Sequence, residues 1–136
     1  MEGVRVLEVA QWTFVPSAGA VLAEWGADVV KIEHPVTGDP QRGLATSGFF
    51  PDTGGVNFMM EQSNRGKRSV GIDLATPGGH GALMRLVETA DVFLTNFLPP
   101  ARRKLGIDVD EIRATNSRII YVRGHGQGAR GPCPRT

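Results

Sequence analysis

Apolar residues follow two alternating patterns along this chain: short runs rich in Val, Ile and Leu, and segments with an apolar residue at every third or fourth position. Short β-branched runs bounded by Gly, Pro and Asp are typical of buried strands. They predict strands at residues 4–9, 28–33, 69–74, 91–96 and 118–122.

Helical spacing separates most of these runs, and capping residues mark the ends of the helices. The predicted helices are one with Pro16 in its first turn and Gly26 after its end, one from Thr76 to Thr89, one near residues 100–105 and one from Asp108. Residues 35–68 predict a long loop with a short apolar patch. Strands that alternate with helices in this way indicate an α/β fold, a mostly parallel sheet with helices on both faces.

Composition narrows the class of protein. The chain has 136 residues, 40% apolar and 21% charged, which suits one globular domain. Fifteen Lys and Arg against fourteen Asp and Glu give a charge of +1, so nucleic acid is not an expected partner. A single cysteine, Cys133, the absence of a long apolar run and an N-terminus unlike a signal peptide predict a cytoplasmic protein with no membrane span.

The carboxyl ends of the predicted strands are the expected place for a ligand, because parallel α/β sheets bind ligands there. The residues that follow the strands are polar, basic and rich in glycine: 11–16, 34–42, 73–76, 96–104 and 123–131. They suit an anionic, phosphate-bearing ligand. Polar loops at strand ends are also ordinary features of any protein, and both interpretations stay open at this point.

A glycine motif follows the last predicted strand. Gly126, Gly128 and Gly131 match the G-x-G-x-x-G pattern of dinucleotide-binding loops, which requires a helix directly after the glycines. Pro132 and Pro134 disfavour that helix. The loop is therefore interpreted as a glycine-rich turn.

Three segments carry a resemblance to a known family: "GADVVKIEHPVTGDPQR", "NRGKRSVGIDLATPGGHGALMRLVETADVFLTNFLPPARRKLGI" and "SRIIYVRGHGQGARGP". In this order and spacing they resemble the N-terminal portion of class III CoA-transferases, which include formyl-CoA transferase, carnitine CoA-transferase and α-methylacyl-CoA racemase. The resemblance implies a Rossmann-like α/β fold, with residues 1–136 as a single, incomplete CoA-binding domain. It also implies a longer two-domain subunit that forms an interlocked homodimer.

The implied activity is the transfer of CoA between an acyl-CoA thioester and a carboxylic acid. In the family an aspartate attacks the thioester to form a mixed anhydride, and that aspartate is expected beyond Thr136. No catalytic residue and no metal site are therefore expected within the chain, which alone is expected to be inactive. An acyl-CoA racemase and a noncatalytic nucleotide-binding module are the alternatives.

The resemblance places the CoA contacts at the ends of three predicted strands and in the helix near residues 100–105: His34, Ile72, Asp73, Leu74, Ala75, Asn96, Phe97, Leu98 and Lys104. His34 stands where relatives commonly have Arg, and Ala75 stands where one group has Lys. Both changes remove fixed positive charge from the predicted site.

Other cations are candidates for the contacts that His34 and Ala75 do not supply: Arg42, Lys67, Arg68, Arg102 and Arg103. Simpler interpretations exist for several residues. The cations at 102–104 could form a solvated helix face, and Asp73 could be a partner in a helix cap. His125 is interpreted as an exposed loop histidine, and the glycine-rich loop around it resembles the family segment near the acyl end of CoA.

Overall fold

The computed structural model describes residues 1–44, 47–48 and 54–126. Its strands are β1 Arg5–Val9, β2 Asp28–Glu33, β3 Arg68–Gly71, β4 Val92–Thr95 and β5 Ile120–Arg123. Its α-helices are α1 Phe14–Glu24, α2 Phe58–Asn64, α3 Pro77–Val87, α4 Pro99–Leu105 and α5 Val109–Thr115, with a 3-10 helix at Pro40–Leu44.

The described strands form one sheet in the order β3-β2-β1-β4-β5, and every pair in it is parallel. The order reverses between β1 and β4, because β2 and β3 extend to one side of β1 and β4 and β5 extend to the other. Parallel strands need a long crossover between them, which is usually a helix. A parallel sheet therefore explains why strand-like and helix-like segments alternate in the sequence. The predicted α/β fold is confirmed.

The two faces of the sheet pack against different helices. Leu7, Val30 and Phe93 lie on one face and form a fully buried apolar core with side chains of α3 and α5, such as Leu83 and Ile112. The hydrophobic burial of a side chain of this size is worth about 1.5–3 kcal/mol. This apolar core therefore supplies much of the stability of the domain.

The opposite face packs on α1. Val6, Val29 and Leu94 share a second apolar cluster with Val15 of α1, and α2 packs against α1. Successive residues of a strand point to opposite faces, so both faces draw their side chains from the same short runs. Helices cover both faces, as predicted.

Local chemistry explains the helix ends. Thr76 caps α3 by accepting a hydrogen bond from the Gly79 N–H, and Pro77 fills the first helical position. Asp108 caps α5 by accepting from the Val109 N–H. Gly106 ends α4 in the left-handed conformation that favours glycine. The starts of α3 and α5 therefore agree with the predicted ones.

The predicted loop at 35–68 is wrong in part, since it contains the 3-10 helix and α2. Asn57 caps α2 by accepting from the Met60 N–H, and Met60 and Ser63 are buried. A helix of seven residues is too short to give a clear periodic signal, and its packing on α1 stabilises it.

The predicted strand at 69–74 is also wrong in its bounds. β3 ends at Gly71, and it lies at the exposed edge of the sheet. The Ile72 N–H still donates to the Glu33 carbonyl of β2 at 2.8 Å, and residues 73–76 then lead into α3.

Aromatic packing fixes β5 to the apolar core. The ring of Tyr121 stacks on Phe93 with centroids 5.3 Å apart, and its hydroxyl donates to the Ile107 carbonyl at 2.7 Å. On the opposite side of β5, Ile120 and Val122 are 60% and 41% exposed. β5 is therefore anchored on one face.

Candidate functional site

A cleft of about 180 Å³ opens at the carboxyl edge of the sheet. Its lining comes from the ends of β1, β2 and β3, from the loop after β4 and from the end of α4: Val9, Ala10, Gln11, Ile32, Glu33, His34, Gly38, Asp39, Ile72, Asp73, Leu74, Ala75, Phe97 and Leu105. It lies beside the reversal of strand order between β1 and β4, which is where open α/β sheets bind ligands.

Most of the residues that the resemblance assigned to CoA line this cleft. They are His34, Ile72, Asp73, Leu74, Ala75 and Phe97. Asn96, Leu98 and Lys104 are not part of the lining. The structure therefore brings together the strand ends of β2 and β3 with Phe97 of the loop that leads to α4.

Asn96 has an internal task. Its side-chain Nδ2 donates to the Gln11 carbonyl at 2.7 Å, and its Oδ1 accepts from the Gln11 N–H at 3.0 Å. This pair of hydrogen bonds ties the end of β4 to the end of β1. Asn96 thus supports the wall of the cleft through Gln11.

His34 and Asp73 face each other at the rim. Nδ1 of His34 accepts hydrogen bonds from the N–H groups of Val36 and Thr37, both at 3.2 Å, so the neutral ring carries its hydrogen on Nε2. That Nε2 lies 4.0 Å from Oδ2 of Asp73. The rim therefore offers an N–H donor, Nε2 of His34, beside the carboxylate of Asp73.

Asp73 also shapes the turn before α3. Its Oδ1 accepts from the Ala75 N–H at 3.0 Å, and its carbonyl accepts from the Thr76 hydroxyl at 2.9 Å. The cap interpretation and the cleft interpretation of Asp73 are therefore compatible, because one carboxylate oxygen holds the turn while the other faces His34.

Four of the alternative cations are held in ion pairs within the chain. Each pairs with a carboxylate at 2.6–3.0 Å: Arg42 with Glu33, Lys67 with Glu8, Arg68 with Asp28 and Arg102 with Asp108. Arg102 also donates to the Phe97 carbonyl and is 2% exposed, so it is not part of a solvated helix face. Arg103 and Lys104 are exposed on α4.

Sequence reasoning missed a buried ionic network behind the cleft. Lys31 Nζ lies 3.3 Å from Oε1 of Glu8 and 2.8 Å from Oδ2 of Asp39, and Lys67 Nζ donates to Oε2 of Glu8 at 2.6 Å. We call these four residues the ionic ladder. Glu8 and Lys31 are direct neighbours in the register of β1 and β2. A charged residue in the middle of each buried strand was the available signal.

Burial opposes charge within the ladder. Burial raises the pKa of the Glu8 carboxyl above its ordinary value, although Lys67 and Lys31 act in the opposite direction. Burial likewise lowers the pKa of Lys67, against the attraction of Glu8. Two carboxylates and two ammonium groups balance the formal charge of the ladder.

Asp39 connects the ladder to the backbone at the cleft. While Oδ2 pairs with Lys31, Oδ1 accepts from the N–H groups of Trp12 and Gln41, both at 3.0 Å. Trp12 has a φ of 65°, in the left-handed region that a bulky side chain rarely adopts. The hydrogen bond from its N–H fixes this unusual turn.

The glycine loop lies mostly outside the described residues. Gly128, Gly131 and Cys133 fall there, so the predicted turn is not described beyond Gly126. His125 is half-buried, where the sequence predicted exposure, and its Nε2 is buried without a hydrogen-bond partner among the described residues.

The described part of the chain, 1–44, 47–48 and 54–126, holds no group of three or more His, Cys, Asp and Glu side chains placed to bind a metal ion. Within the same residues, every helix is too short or too polar to cross a membrane.

An all-parallel sheet with a cleft at the reversal of its strand order defines a Rossmann-like α/β fold. More specifically, the chain belongs to CoA-transferase family III, whose family model matches residues 1–135.

Named relatives agree with the family. Succinate–glutarate CoA-transferase of Agrobacterium fabrum is 40% identical, over 97% of this chain and 34% of that protein. Formyl-CoA:oxalate CoA-transferase of Streptomyces avermitilis is also 40% identical, over 94% of this chain and 31% of the relative. The crystal structure of Rv3272 from Mycobacterium tuberculosis matches with a TM-score of 0.85 and 37% identity, covering 97% of this chain and 36% of that one. The chain spans about a third of the length of these relatives.

Proposed function

We propose that this chain is the CoA-binding N-terminal part of a CoA-transferase, which moves CoA from an acyl-CoA thioester to a carboxylic acid. The observation that carries the proposal is the family match over residues 1–135 together with the cleft. The named CoA-transferases among the relatives support the reaction type.

The lining of the cleft is suited to part of a CoA molecule. Ile32, Ile72, Leu74, Phe97 and Leu105 give it apolar walls that suit a flat base or an aliphatic arm. At the rim, the His34 Nε2–H donates and Asp73 accepts, which suits the ring nitrogens and amino group of a base. The phosphates are expected to extend toward solvent and toward Arg103 and Lys104 on α4, because the other candidate cations are paired.

The reaction itself requires a carboxylate outside these residues. In the proposed route a carboxylate oxygen forms a bond to the thioester carbonyl carbon while the carbon–sulfur bond breaks, and CoA leaves as a thiolate. The CoA thiolate then attacks the enzyme's own carboxyl carbon in the anhydride, so that the first acid leaves as a carboxylate and an enzyme thioester remains. The second carboxylate attacks this thioester and displaces the CoA thiolate again, and the thiolate then attacks the carbonyl carbon of the second acid, which forms the new acyl-CoA and frees the enzyme carboxylate. We further propose that the complete protein is a cytoplasmic homodimer, as the resemblance implies.

Ligand titration tests the proposal. Calorimetry of the 136-residue chain with CoA should show binding, and NAD should bind at least about tenfold more weakly, a difference of about 1.4 kcal/mol. Equal affinity for CoA and NAD would instead favour a general nucleotide-binding module.

A pair of matched variants locates the site. Ala75→Glu places a carboxylate in the lining next to Asp73 and should reduce CoA affinity by about tenfold or more through repulsion and steric exclusion. Ala114→Glu makes the same change on an exposed position of α5 and should leave affinity unchanged. Equal behaviour of the two variants would show that CoA binds elsewhere.

A further inference from the structure

Gln11 is a polar residue of the cleft to which neither the family resemblance nor the ionic ladder gives a role. It follows β1 directly and is half-buried in the lining. Its backbone is bonded to Asn96, but its carboxamide makes no hydrogen bond to any of the described residues. Burying an amide is favourable only when its polar atoms are hydrogen-bonded. Since the Gln11 carboxamide has no such partner among the described residues, both its donor and its acceptor are available to a ligand.

The backbone that carries the Gln11 side chain is held firmly at Gln11 itself and at the next residue. Asn96 fixes the N–H and the carbonyl of Gln11 with two hydrogen bonds. The next residue, Trp12, keeps its φ of 65° while its N–H donates to the buried Asp39. A left-handed conformation is unfavourable at a bulky residue and persists where the surroundings enforce it. The turn is therefore built to hold Gln11 in one place.

The chemistry of the lining selects the kind of group that Gln11 can bind. Val9, Ala10 and Phe97 are apolar, and the carboxylates of Glu33 and Asp39 already pair with Arg42 and Lys31. None of these residues offers a free cation to a phosphate. A carboxamide both donates and accepts, which matches another amide.

We propose that Gln11 binds an amide group of the pantetheine arm of CoA, and that Asp39 is the positioning residue that holds the turn presenting it. The inference rests on the proposed function, because a CoA thioester contains a charged nucleotide end and an uncharged arm with two amides. Gln11 lies beside the reversal of strand order, between the rim at His34 and Asp73 and the strand end at Asn96. An arm that crosses the sheet edge from that rim passes this point.

The variant Gln11→Met tests the binding role, because it keeps the length of the side chain and removes both hydrogen-bonding atoms. We expect the affinity for CoA to fall about three- to tenfold, the effect of one or two hydrogen bonds. Affinity for adenosine 3′,5′-bisphosphate, which lacks the arm, should not change. Gln62→Met, at an exposed position of α2, is the matched control and should bind both ligands normally.

These measurements separate the two proposals. CoA binding that Gln11→Met leaves unchanged, or a loss that is equal for both ligands, would overturn the role of Gln11 while leaving the proposed function intact. No CoA binding by the unsubstituted chain would overturn the proposed function and this inference together.

Charge-balanced double variants test the role of Asp39. Lys31→Met combined with Asp39→Asn removes one positive and one negative charge, leaves Glu8 paired with Lys67 and keeps an oxygen to accept from Trp12. Lys31→Met combined with Asp39→Ala removes the same charges and also the acceptor. Only the alanine form should lose CoA affinity as Gln11→Met does.

Fluorescence of Trp12 gives an independent readout of the turn. In a Trp25→Phe background Trp12 is the one remaining tryptophan, since the chain has two. The Asp39→Ala form should shift the emission of Trp12 relative to the Asp39→Asn form. Equal spectra and equal CoA affinities for the two forms would show that Asp39 does not position the turn.

Discussion

Alternate residues of the same strands face two different interiors. On β2, Val30 and Ile32 lie in the apolar core with α3 and α5, whereas Lys31 belongs to the ionic ladder on the side of α1. The apolar face gains its stability from close packing, which is not directional. The ionic face uses directional contacts that end at the cleft, through Asp39. Only the second kind of contact can fix a single backbone turn such as that at Trp12.

Removing a large side chain from the apolar core should have the largest effect. Phe93→Ala leaves a cavity beside Tyr121 and is expected to lower the free energy of unfolding by about 3–5 kcal/mol. Urea denaturation followed by circular dichroism measures it. Phe14→Ala, which truncates a 67% exposed ring, is the control and should change stability by less than about 0.5 kcal/mol. Similar losses for the two variants would contradict the assignment of the core.

Lys31→Met removes one of the two cations of the ionic ladder and is expected to lower the free energy of unfolding by about 3 kcal/mol. The reason is that Glu8 and Asp39 then remain buried with Lys67 as the single cation of the ladder. Adding Asp39→Asn should recover part of this loss. The matched control is Arg68→Met, which removes an exposed pair with Asp28 and should cost less than about 1 kcal/mol. Equal losses at Lys31 and Arg68 would show that burial does not strengthen the ladder.

Space around the ladder is tested at Gly19 of α1. A methyl group there would lie 1.9 Å from Oε2 of Glu8, so Gly19→Ala must displace that carboxylate and is expected to cost about 1–3 kcal/mol. Gly81→Ala on α3 meets no atom within 4 Å and should instead stabilise the protein by up to about 1 kcal/mol, through helix propensity. Thermal denaturation of both variants gives the comparison, and a stabilising Gly19→Ala would refute the close contact.

The smallest expected effect concerns pH. Burial acts to raise the pKa of Glu33, but hydrogen bonds from Arg42 and from the Asp39 N–H outweigh it and lower the pKa from 4.5 to about 2. A carboxyl whose pKa is lower in the folded state stabilises the protein above its unfolded value, and this stabilisation is lost as the pH falls from 4.5 toward 2.

Since the Arg42 side chain is half-exposed, we expect Glu33 to contribute about 1–2 kcal/mol. Urea denaturation at about pH 6 and about pH 3 measures this contribution of Glu33 to the free energy of unfolding. Glu33→Gln should show a smaller decrease in stability between the two pH values. An identical decrease would assign the acid sensitivity to other groups.

Local signals predicted most of the fold. The strand at residues 28–33 has the predicted bounds, and the helix start at Thr76 and Pro77 is as expected, because strand runs and capping residues act over a few neighbouring positions. The bounds of β3 were wrong because pairing with β2, and not residue type, decides where an edge strand ends.

The site depended on contacts between distant residues. The resemblance assigned Asn96 to CoA, but its side chain bonds the backbone of Gln11, which is 85 positions away. Glu8 and Lys67 are separated by 59 positions, so their pairing could not be predicted from either segment. Arg42 and Arg102 were candidates for ligand contacts, and the structure pairs each of them with a nearby carboxylate, Glu33 and Asp108.

The ultraviolet absorbance of Tyr121 reports on the packing of β5. It is the single tyrosine of the chain, stacked on Phe93 and hydrogen-bonded to Ile107. Burial raises the pKa of its phenol from 10.0 to about 12. Its ultraviolet absorbance at alkaline pH therefore records whether β5 is docked, since phenolate that forms near pH 10 marks molecules in which that strand has separated from the sheet.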